Sequence, residues 1–127
     1  MRHRNTKDKL NKPADVRRAM MRNLMTSLFL YGKVQTTDAR AKALISEAEK
    51  LITKAKRQKE VLNKIRELNK VLFTENSSKK ALDFVQKTPK TSGFTRKTRI
   101  KERVGDGATV IQVELITEGK KQLCYKT

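Results

Sequence analysis

Two clusters of lysine and arginine side chains form the strongest chemical pattern in this 127-residue sequence. The first cluster sets eight cations against Asp8 and Asp15, and its members are Arg2, Arg4, Lys7, Lys9, Lys12, Arg17, Arg18 and Arg22. The second sets five cations against Glu102, and its members are Arg96, Lys97, Arg99, Lys101 and Arg103. Each phosphate that lysine or arginine neutralises releases a condensed counterion, which favours binding. Both clusters therefore predict contacts with the phosphate backbone of a nucleic acid.

The charge of the whole chain favours the same partner. Lysines and arginines number 31 against 13 acidic residues, so the net charge is +18 at pH 7. In a chain near neutrality such runs would indicate solvated faces, but here little acidic sequence separates the cations. An anionic membrane is the weaker candidate, because no apolar run approaches the roughly 18–20 residues of a membrane span. The first residues also lack the apolar stretch of a secretory signal, so we expect a cytoplasmic protein.

Residues that perform catalysis or bind metals are too few in the sequence to form a site. The single histidine, His3, lies among the cations of the first cluster, and we assign it to the same nucleic-acid-binding set. The single cysteine, Cys124, has no histidine near it in the sequence and cannot form an internal disulfide. Cysteine and histidine at metal-ligand spacing are absent, as is a glycine-rich phosphate loop. The sequence therefore predicts no enzyme, no cofactor, no metal and no small-molecule substrate.

A helical period positions the end of the first cluster. Apolar residues recur every four positions after Pro13, namely Val16, Met20, Leu24 and Leu28. This spacing predicts a first helix that ends at Gly32. We expect the apolar stripe to face the core, which places Arg18 and Arg22 beside it on one face that reaches outward.

Three further helices are expected in the middle of the chain. The second helix follows Thr37 and presents one apolar face, formed by Ala41, Leu44, Ala48, Leu51, Ile52 and Ala55. Helical patterns over residues 61–73 and 81–85 predict the third and the fourth helix. Acidic residues lie among the lysines between positions 47 and 84, so we interpret this charge-balanced stretch as a scaffold.

Strand patterns position the second basic cluster. β-Branched and alternating apolar residues predict strands over residues 94–101 and 110–115, joined by a turn at Gly105-Asp106-Gly107. A brief strand is expected at 33–36. On the first strand of the hairpin, Lys97, Arg99 and Lys101 would project from one face as a row.

The expected organisation is a basic N-terminal arm over residues 1–12, a single domain over residues 13–118 and a flexible C-terminal tail over residues 119–127. The arm contains too few apolar residues to offset the cost of ordering its backbone, so we expect it to order on its partner. The simplest arrangement of the domain is a small sheet with helices packed on one face.

Specific residues along this chain resemble a known family. The first half contributes Met1-Arg2-His3-Arg4, Leu10-Asn11, Arg18-Ala19-Met20, Arg22-Asn23, Ser27-Leu28, Thr36-Thr37, Ala41-Lys42 and Glu49-x-Leu51-Ile52-Thr53-x-Ala55-Lys56. The second half contributes Gly93-Phe94-Thr95-Arg96, Arg103-x-Gly105-Asp106-x-Ala108 and Glu114-Leu115. In this order and spacing over residues 1–115, the sequence resembles the bacterial large-subunit ribosomal protein L17 family.

The resemblance implies a two-layer α/β fold of the α+β type, with about four helices on a small mixed sheet of about three strands. It also implies a structural protein, without catalytic residues or a cofactor, bound to large-subunit ribosomal RNA near the outer end of the peptide exit tunnel. Neighbouring ribosomal proteins would be further partners. By position, the basic N-terminal arm of the family corresponds to residues 1–12, and its basic hairpin strand to residues 94–103. The chain departs from the family pattern at residues 86–94 and matches little of it after Leu115.

Two other functions compete with this interpretation. A nucleoid-type protein that binds DNA of many sequences would share the charge, but it should dimerise. The sequence has neither a heptad seam nor a proline wedge for the minor groove, and we expect no homo-oligomer. An assembly adaptor that binds mainly protein through the charge-balanced helices would keep its partner after nuclease treatment.

Overall fold

Helices precede most of the sheet in chain order. The structure, a computed structural model, describes His3 and residues 9–116. These residues contain α1 (Ala14–Tyr31), β1 (Lys33–Thr37), α2 (Asp38–Arg57), α3 (Val61–Asn69), α4 (Glu75–Lys87), β2 (Thr95–Glu102) and β3 (Thr109–Leu115). The α+β fold class is confirmed, because four helices pack against a three-stranded sheet in this part of the chain. Most of the predicted arm and all of the predicted tail, with Cys124, lie outside the described residues, so the domain boundaries stay predictions.

The sheet is antiparallel throughout and not mixed as the resemblance implied. The strand order is β1-β3-β2, and β3 pairs antiparallel with both neighbours. β1 and β2 run in the same direction, but they lie on opposite sides of β3 and therefore form no parallel pair. Val113 and Ile111 of β3 are buried beneath α1 and α2, which places the helices on one face of the sheet.

The buried face of α1 differs from the predicted stripe. Its buried apolar residues are Met21, Met25, Leu28 and Phe29, whereas Val16 is 51% exposed and Met20 and Leu24 are half-buried. In an α-helix, a strict spacing of four residues drifts around the axis by about 40° at each step. The predicted stripe therefore winds about 120° around the helix between Val16 and Leu28. The combination of steps of four and three, as in Met21, Met25 and Leu28, stays on one face.

The buried face of α2 agrees with the prediction in full. Its buried residues are Ala41, Leu44, Ala48, Leu51, Ile52 and Ala55. Three of them are alanines, whose small side chains let neighbouring elements approach the α2 backbone closely. α2 contacts all three strands and the other three helices, so it is the central helix of the core.

The β2–β3 hairpin is attached to the helical layer through α2. Phe94, which immediately precedes β2, is fully buried. A carboxylate oxygen of Glu49 accepts hydrogen bonds from the Phe94 backbone N–H at 3.2 Å and from the Thr95 hydroxyl at 3.1 Å. Two helical turns further along the same face of α2, the Lys56 ammonium donates to the Thr88 carbonyl at 2.6 Å and lies 4.8 Å from the centroid of the Phe94 ring. Two charged side chains of α2 thus fix the first residues of the hairpin.

We predict that Glu49→Ala destabilises the protein and that Glu47→Ala, on the same helix, does not. Loss of the Glu49 carboxylate leaves the Phe94 N–H without its acceptor, which costs about 1–3 kcal/mol in the free energy of unfolding. Glu47 is exposed and forms no hydrogen bond or ion pair within residues 9–116, so its replacement should cost less than about 0.5 kcal/mol. Urea denaturation followed by circular dichroism measures both effects. Equal midpoints for the two variants would contradict the proposed attachment.

Candidate RNA-binding surface

The predicted row of Lys97, Arg99 and Lys101 is wrong. β2 pairs with β3 in regular register up to Arg99, and the register shifts before Lys101, so Ile100 is the extra residue of a β-bulge. A bulge inserts one residue into the alternation of side chains along a strand. Lys101 therefore lies on the opposite face of the sheet from Lys97 and Arg99.

The bulge divides the cations of β2 between the two faces of the sheet. Lys97 and Arg99 stand opposite the buried residues Val113 and Ile111 and so lie on the helix-facing side. The open face carries Arg96 and Lys101 of β2 and Lys33 of β1. These three side chains are exposed and form no hydrogen bond or ion pair in the described part of the chain. The single carboxylate between them, that of Glu114, accepts a hydrogen bond from Gln112.

The other cations of the hairpin are paired with carboxylates. Lys97 pairs with Asp38, Arg99 with Glu102, and Arg103 with Asp106. Hydrogen bonds from Lys97 and then from Lys42 lower the pKa of Asp38, so its carboxylate at the start of α2 stays charged. All three pairs are solvent-accessible, and accessible ion pairs contribute little to stability. A phosphate can therefore replace each carboxylate at small cost.

The predicted turn at Gly105-Asp106-Gly107 is confirmed, and its aspartate has a defined role. Gly107 has a φ of 63°, which favours glycine, and its N–H donates to the Arg103 carbonyl at 2.8 Å. The guanidinium of Arg103 donates from Nε to Asp106 Oδ1 at 2.7 Å, and the Ala108 N–H donates to the same oxygen at 3.3 Å. These hydrogen bonds lower the pKa of Asp106 to about 2. The aspartate thus closes the turn.

The three arginines of α1 have different surroundings. Arg17 donates to the carbonyl oxygens of Lys12 at 3.1 Å and Lys9 at 3.4 Å, which holds the segment before the helix against it. Arg18 is exposed, with Asp15 3.9 Å away. Arg22 is half-buried, donates from Nε to the Val71 carbonyl at 2.8 Å and lies 4.0 Å from the centroid of the Phe73 ring. The prediction that Arg18 and Arg22 reach outward together is wrong for Arg22, because α1 is rotated relative to the predicted stripe.

The N-terminal members of the predicted set are only partly described. Lys9, Lys12 and His3 are exposed to solvent. Arg2, Arg4 and Lys7 lie outside the described residues. The structure therefore holds the base of the arm on α1 through Arg17. The hairpin cations belong to different elements, namely β2 and the turn that follows it.

A groove between α1, α2 and α3 contains cations of the charge-balanced stretch for which the sequence predicts a scaffold role. The groove has a volume of about 540 Å³ and is lined on one wall by Arg18 and on the facing wall by Lys50 and Lys54 of α2. The lysines lie four positions apart and are exposed. The spacing of four positions indicates that both lysines lie on one side of α2. Charge counted along the chain does not reveal this pair, because Glu47 and Glu49 lie next to it in the sequence.

His3 and residues 9–116 contain no group of three or more histidine, cysteine or acidic side chains that could hold a metal ion. Within the same residues, no helix combines the length and the apolar character that a membrane crossing requires.

Fold and surface together define a small basic α+β protein that displays cations on a hairpin and along a helical groove. A family model described as ribosomal protein L17 matches residues 20–116. The chain is 44% identical over 115 residues to large ribosomal subunit protein bL17 of Clostridium kluyveri, and 42% identical to that of Clostridium botulinum. Both alignments cover 85% of this chain and 96% of the relative. A bL17 protein of Desulfosudis oleivorans is 40% identical over an alignment that covers all of this chain and 64% of the relative.

The chain belongs to the ribosomal protein L17 family. The family resemblance seen in the sequence is therefore confirmed. The family is one of structural, non-enzymatic proteins, which agrees with the prediction that the chain is not an enzyme.

We predict that Arg22→Ala is destabilising and that Arg18→Ala is nearly neutral. Arg22→Ala removes a hydrogen bond from a charged donor and a cation–π contact, which together are worth about 2 kcal/mol. Arg18 is 75% exposed in its side chain, so its replacement should cost less than about 0.5 kcal/mol. Urea denaturation measures both. Arg22→Lys should recover only part of the loss, and equal stability of the two alanine variants would show that Arg22 is not structural.

The hairpin turn should loosen in acid. The pKa of Asp106 lies at about 2 when folded, below its ordinary value of 3.8, so its stabilising contribution is complete above pH 3.8 and is lost as the pH falls toward 2. NMR titration of the Asp106 carboxyl carbon measures the pKa directly. We expect Arg103→Ala to return the pKa toward 3.8 and Lys101→Ala to leave it unchanged. A pKa that ignores Arg103 would contradict this account of the turn.

Proposed function

We propose that this chain is a structural constituent of the large ribosomal subunit that binds large-subunit ribosomal RNA near the outer end of the peptide exit tunnel and supports assembly of the subunit. The observation that carries the proposal is the edge strand β2, which is exposed at every position from Arg96 to Glu102 and belongs to a segment with five cations. The relatives from Clostridium kluyveri and Clostridium botulinum are named as large ribosomal subunit proteins, which supports the same conclusion.

The two faces of the hairpin would contact RNA in different ways. On the open face, Arg96, Lys101 and Lys33 have no carboxylate partner and can bind phosphates directly. On the other face and at the turn, Lys97, Arg99 and Arg103 would exchange a carboxylate for a phosphate. Shape and backbone contacts, rather than base reading, then select the site on folded RNA.

The first cluster supplies the second part of the proposed interface. Its proposed members are Arg2, His3, Arg4, Lys7, Lys9, Lys12, Arg17 and Arg18. Arg17 donates hydrogen bonds to the carbonyls of Lys9 and Lys12 and so holds the base of the arm on α1. We assign Arg22 a structural role, because its guanidinium is already held by Val71 and Phe73.

Neighbouring large-subunit proteins are the other proposed partners, and no homo-oligomer is required. The location is the cytoplasm, where bacterial ribosomes lie. The names of the matching relatives favour the ribosomal assignment over the nucleoid-type alternative.

Sedimentation of a gentle cell lysate through a sucrose gradient tests the proposal directly. The chain should sediment with the large subunit at moderate salt and should leave those fractions after RNase treatment. Sedimentation with chromosomal DNA, or as a free protein, would overturn the ribosomal assignment. A chain that stays with protein partners after RNase treatment would indicate an adaptor.

We predict that Arg96→Glu combined with Lys101→Glu weakens binding to large-subunit ribosomal RNA. If each residue neutralises one phosphate, the slope of log K against log salt concentration should fall by about 2. Affinity should fall by about tenfold at physiological salt. Filter binding over a salt series measures both quantities.

The control is Lys59→Glu combined with Lys87→Glu, which makes the same charge change at exposed lysines outside the hairpin. If the control lowers the slope as much as the hairpin variant does, net charge rather than the hairpin determines binding.

A further inference from the structure

The groove between α1, α2 and α3 carries more positive charge than the protein itself neutralises. Its cationic lining residues are Arg17, Arg18, Arg22, Lys50, Lys54 and Lys70, and its carboxylates are Glu47 and Glu67. Six cations less two carboxylates leave a net charge of +4 around a space of about 540 Å³. Like charges held around one groove repel each other, so the arrangement is unfavourable until an anion enters it.

Some of these cations already have partners within the protein. Arg22 is held by Val71 and Phe73, and Arg17 binds backbone carbonyls before α1. Lys70 pairs with Glu67, and this hydrogen bond lowers the pKa of Glu67. These residues shape the groove, but they are not its free ligands.

Three cations remain available on the two facing walls. Arg18 on α1 is exposed, and its one ion pair among the described residues is a long contact of 3.9 Å with Asp15. Lys50 forms no hydrogen bond or ion pair with any described residue. Lys54 interacts with Glu67 only by electrostatic attraction, without a hydrogen bond. Lys50 and Lys54 are one helical turn apart, about 6 Å along the axis of α2. That separation suits successive phosphates of one RNA strand.

We infer that this groove is an additional RNA-binding site, in which Arg18, Lys50 and Lys54 bind the phosphates of a single RNA strand that lies between α1 and α2. The inference rests on the proposed function and extends it to two residues of α2 that neither basic cluster of the sequence contains. The groove would thereby extend the RNA-binding surface from Arg18, at the α1 end of the first cluster, to Lys50 and Lys54 of α2.

The floor of the groove favours a phosphate backbone over a protein segment. Met21, Met25 and Leu51 form the apolar floor, and each is at least 95% buried. A protein partner gains most of its affinity by inserting apolar or aromatic anchors into pockets. The floor exposes almost no apolar surface to such an anchor, whereas the cations on the walls attract a chain of regularly spaced anions.

Lysine footprinting of the wild-type chain tests the inference without a mutation. The chain is acetylated with an N-hydroxysuccinimide ester, alone and bound to protein-free large-subunit ribosomal RNA, and modified lysines are quantified by mass spectrometry. We expect RNA to lower the reactivity of Lys50 and Lys54 at least fivefold, while Lys59 and Lys87 change less than twofold. A gel shift run in parallel establishes that the complex has formed.

The outcomes separate the groove from the broader proposal. If the complex forms and Lys50 and Lys54 stay as reactive as in the free chain, the groove inference is overturned and the proposed function stands. If no complex forms with ribosomal RNA, both are overturned.

A charge-reversal pair provides an independent measurement. Lys50→Glu combined with Lys54→Glu should lower the salt slope of RNA binding by about 2, as for two lost phosphate contacts. The pair Lys59→Glu with Lys87→Glu should leave it unchanged, and circular dichroism checks that each variant is folded. A groove variant that binds RNA normally but no longer sediments with the large subunit would assign the groove to a protein partner and overturn the inference.

Discussion

The ammonium group of Lys56 lies 4.8 Å from the ring centroid of Phe94 and donates to the carbonyls of Thr88 and Lys90, in the loop that leads to the hairpin. Phe94 is fully buried, and a carboxylate oxygen of Glu49 accepts a hydrogen bond from its backbone N–H. A charge this close to the core is tolerable only when it is hydrogen-bonded. The attachment therefore has a narrow geometry, and it sets the direction in which β2 leaves the core. Every exposed cation of the hairpin depends on that direction.

A net charge of +18 on 127 residues constrains where cations can be placed. The fold distributes them over a hairpin, a helical groove and the segment before α1, and it gives several of them a weak carboxylate partner. The pairs of Arg99 with Glu102 and Arg103 with Asp106 are accessible to solvent, so they relieve repulsion in the free protein without competing strongly with phosphate. The fold thus carries an excess of cations on its surface while weak carboxylate partners reduce their mutual repulsion.

Sequence periodicity predicted the elements and the core face of α2, and it failed where rotation or register decided the outcome. The apolar residues of α2 are spaced by three and four positions, so they stay on one face of the helix. The predicted α1 stripe from Val16 to Leu28 has a spacing of four positions throughout, so it winds around the helix and leaves the buried face. Nothing in the sequence around Ile100 marks it as the bulged residue. A one-residue bulge moves every later side chain of the strand to the opposite face of the sheet. The sequence therefore predicted the cations and the strand that carries them, but not the face on which each cation lies.

The groove shows why charge counted along a chain differs from charge on a surface. Glu49 and Lys56 lie seven positions apart on α2 and share the face that holds the hairpin. Lys50 and Lys54 lie about 100–140° around the helix from Glu49, on the wall of the groove. A window along the sequence averages these charges to near balance, but the helix sends the glutamate to a structural contact and the lysines to solvent. The helix that anchors the hairpin therefore also supplies cations to a second surface, and a rotation of α2 would disturb both at once.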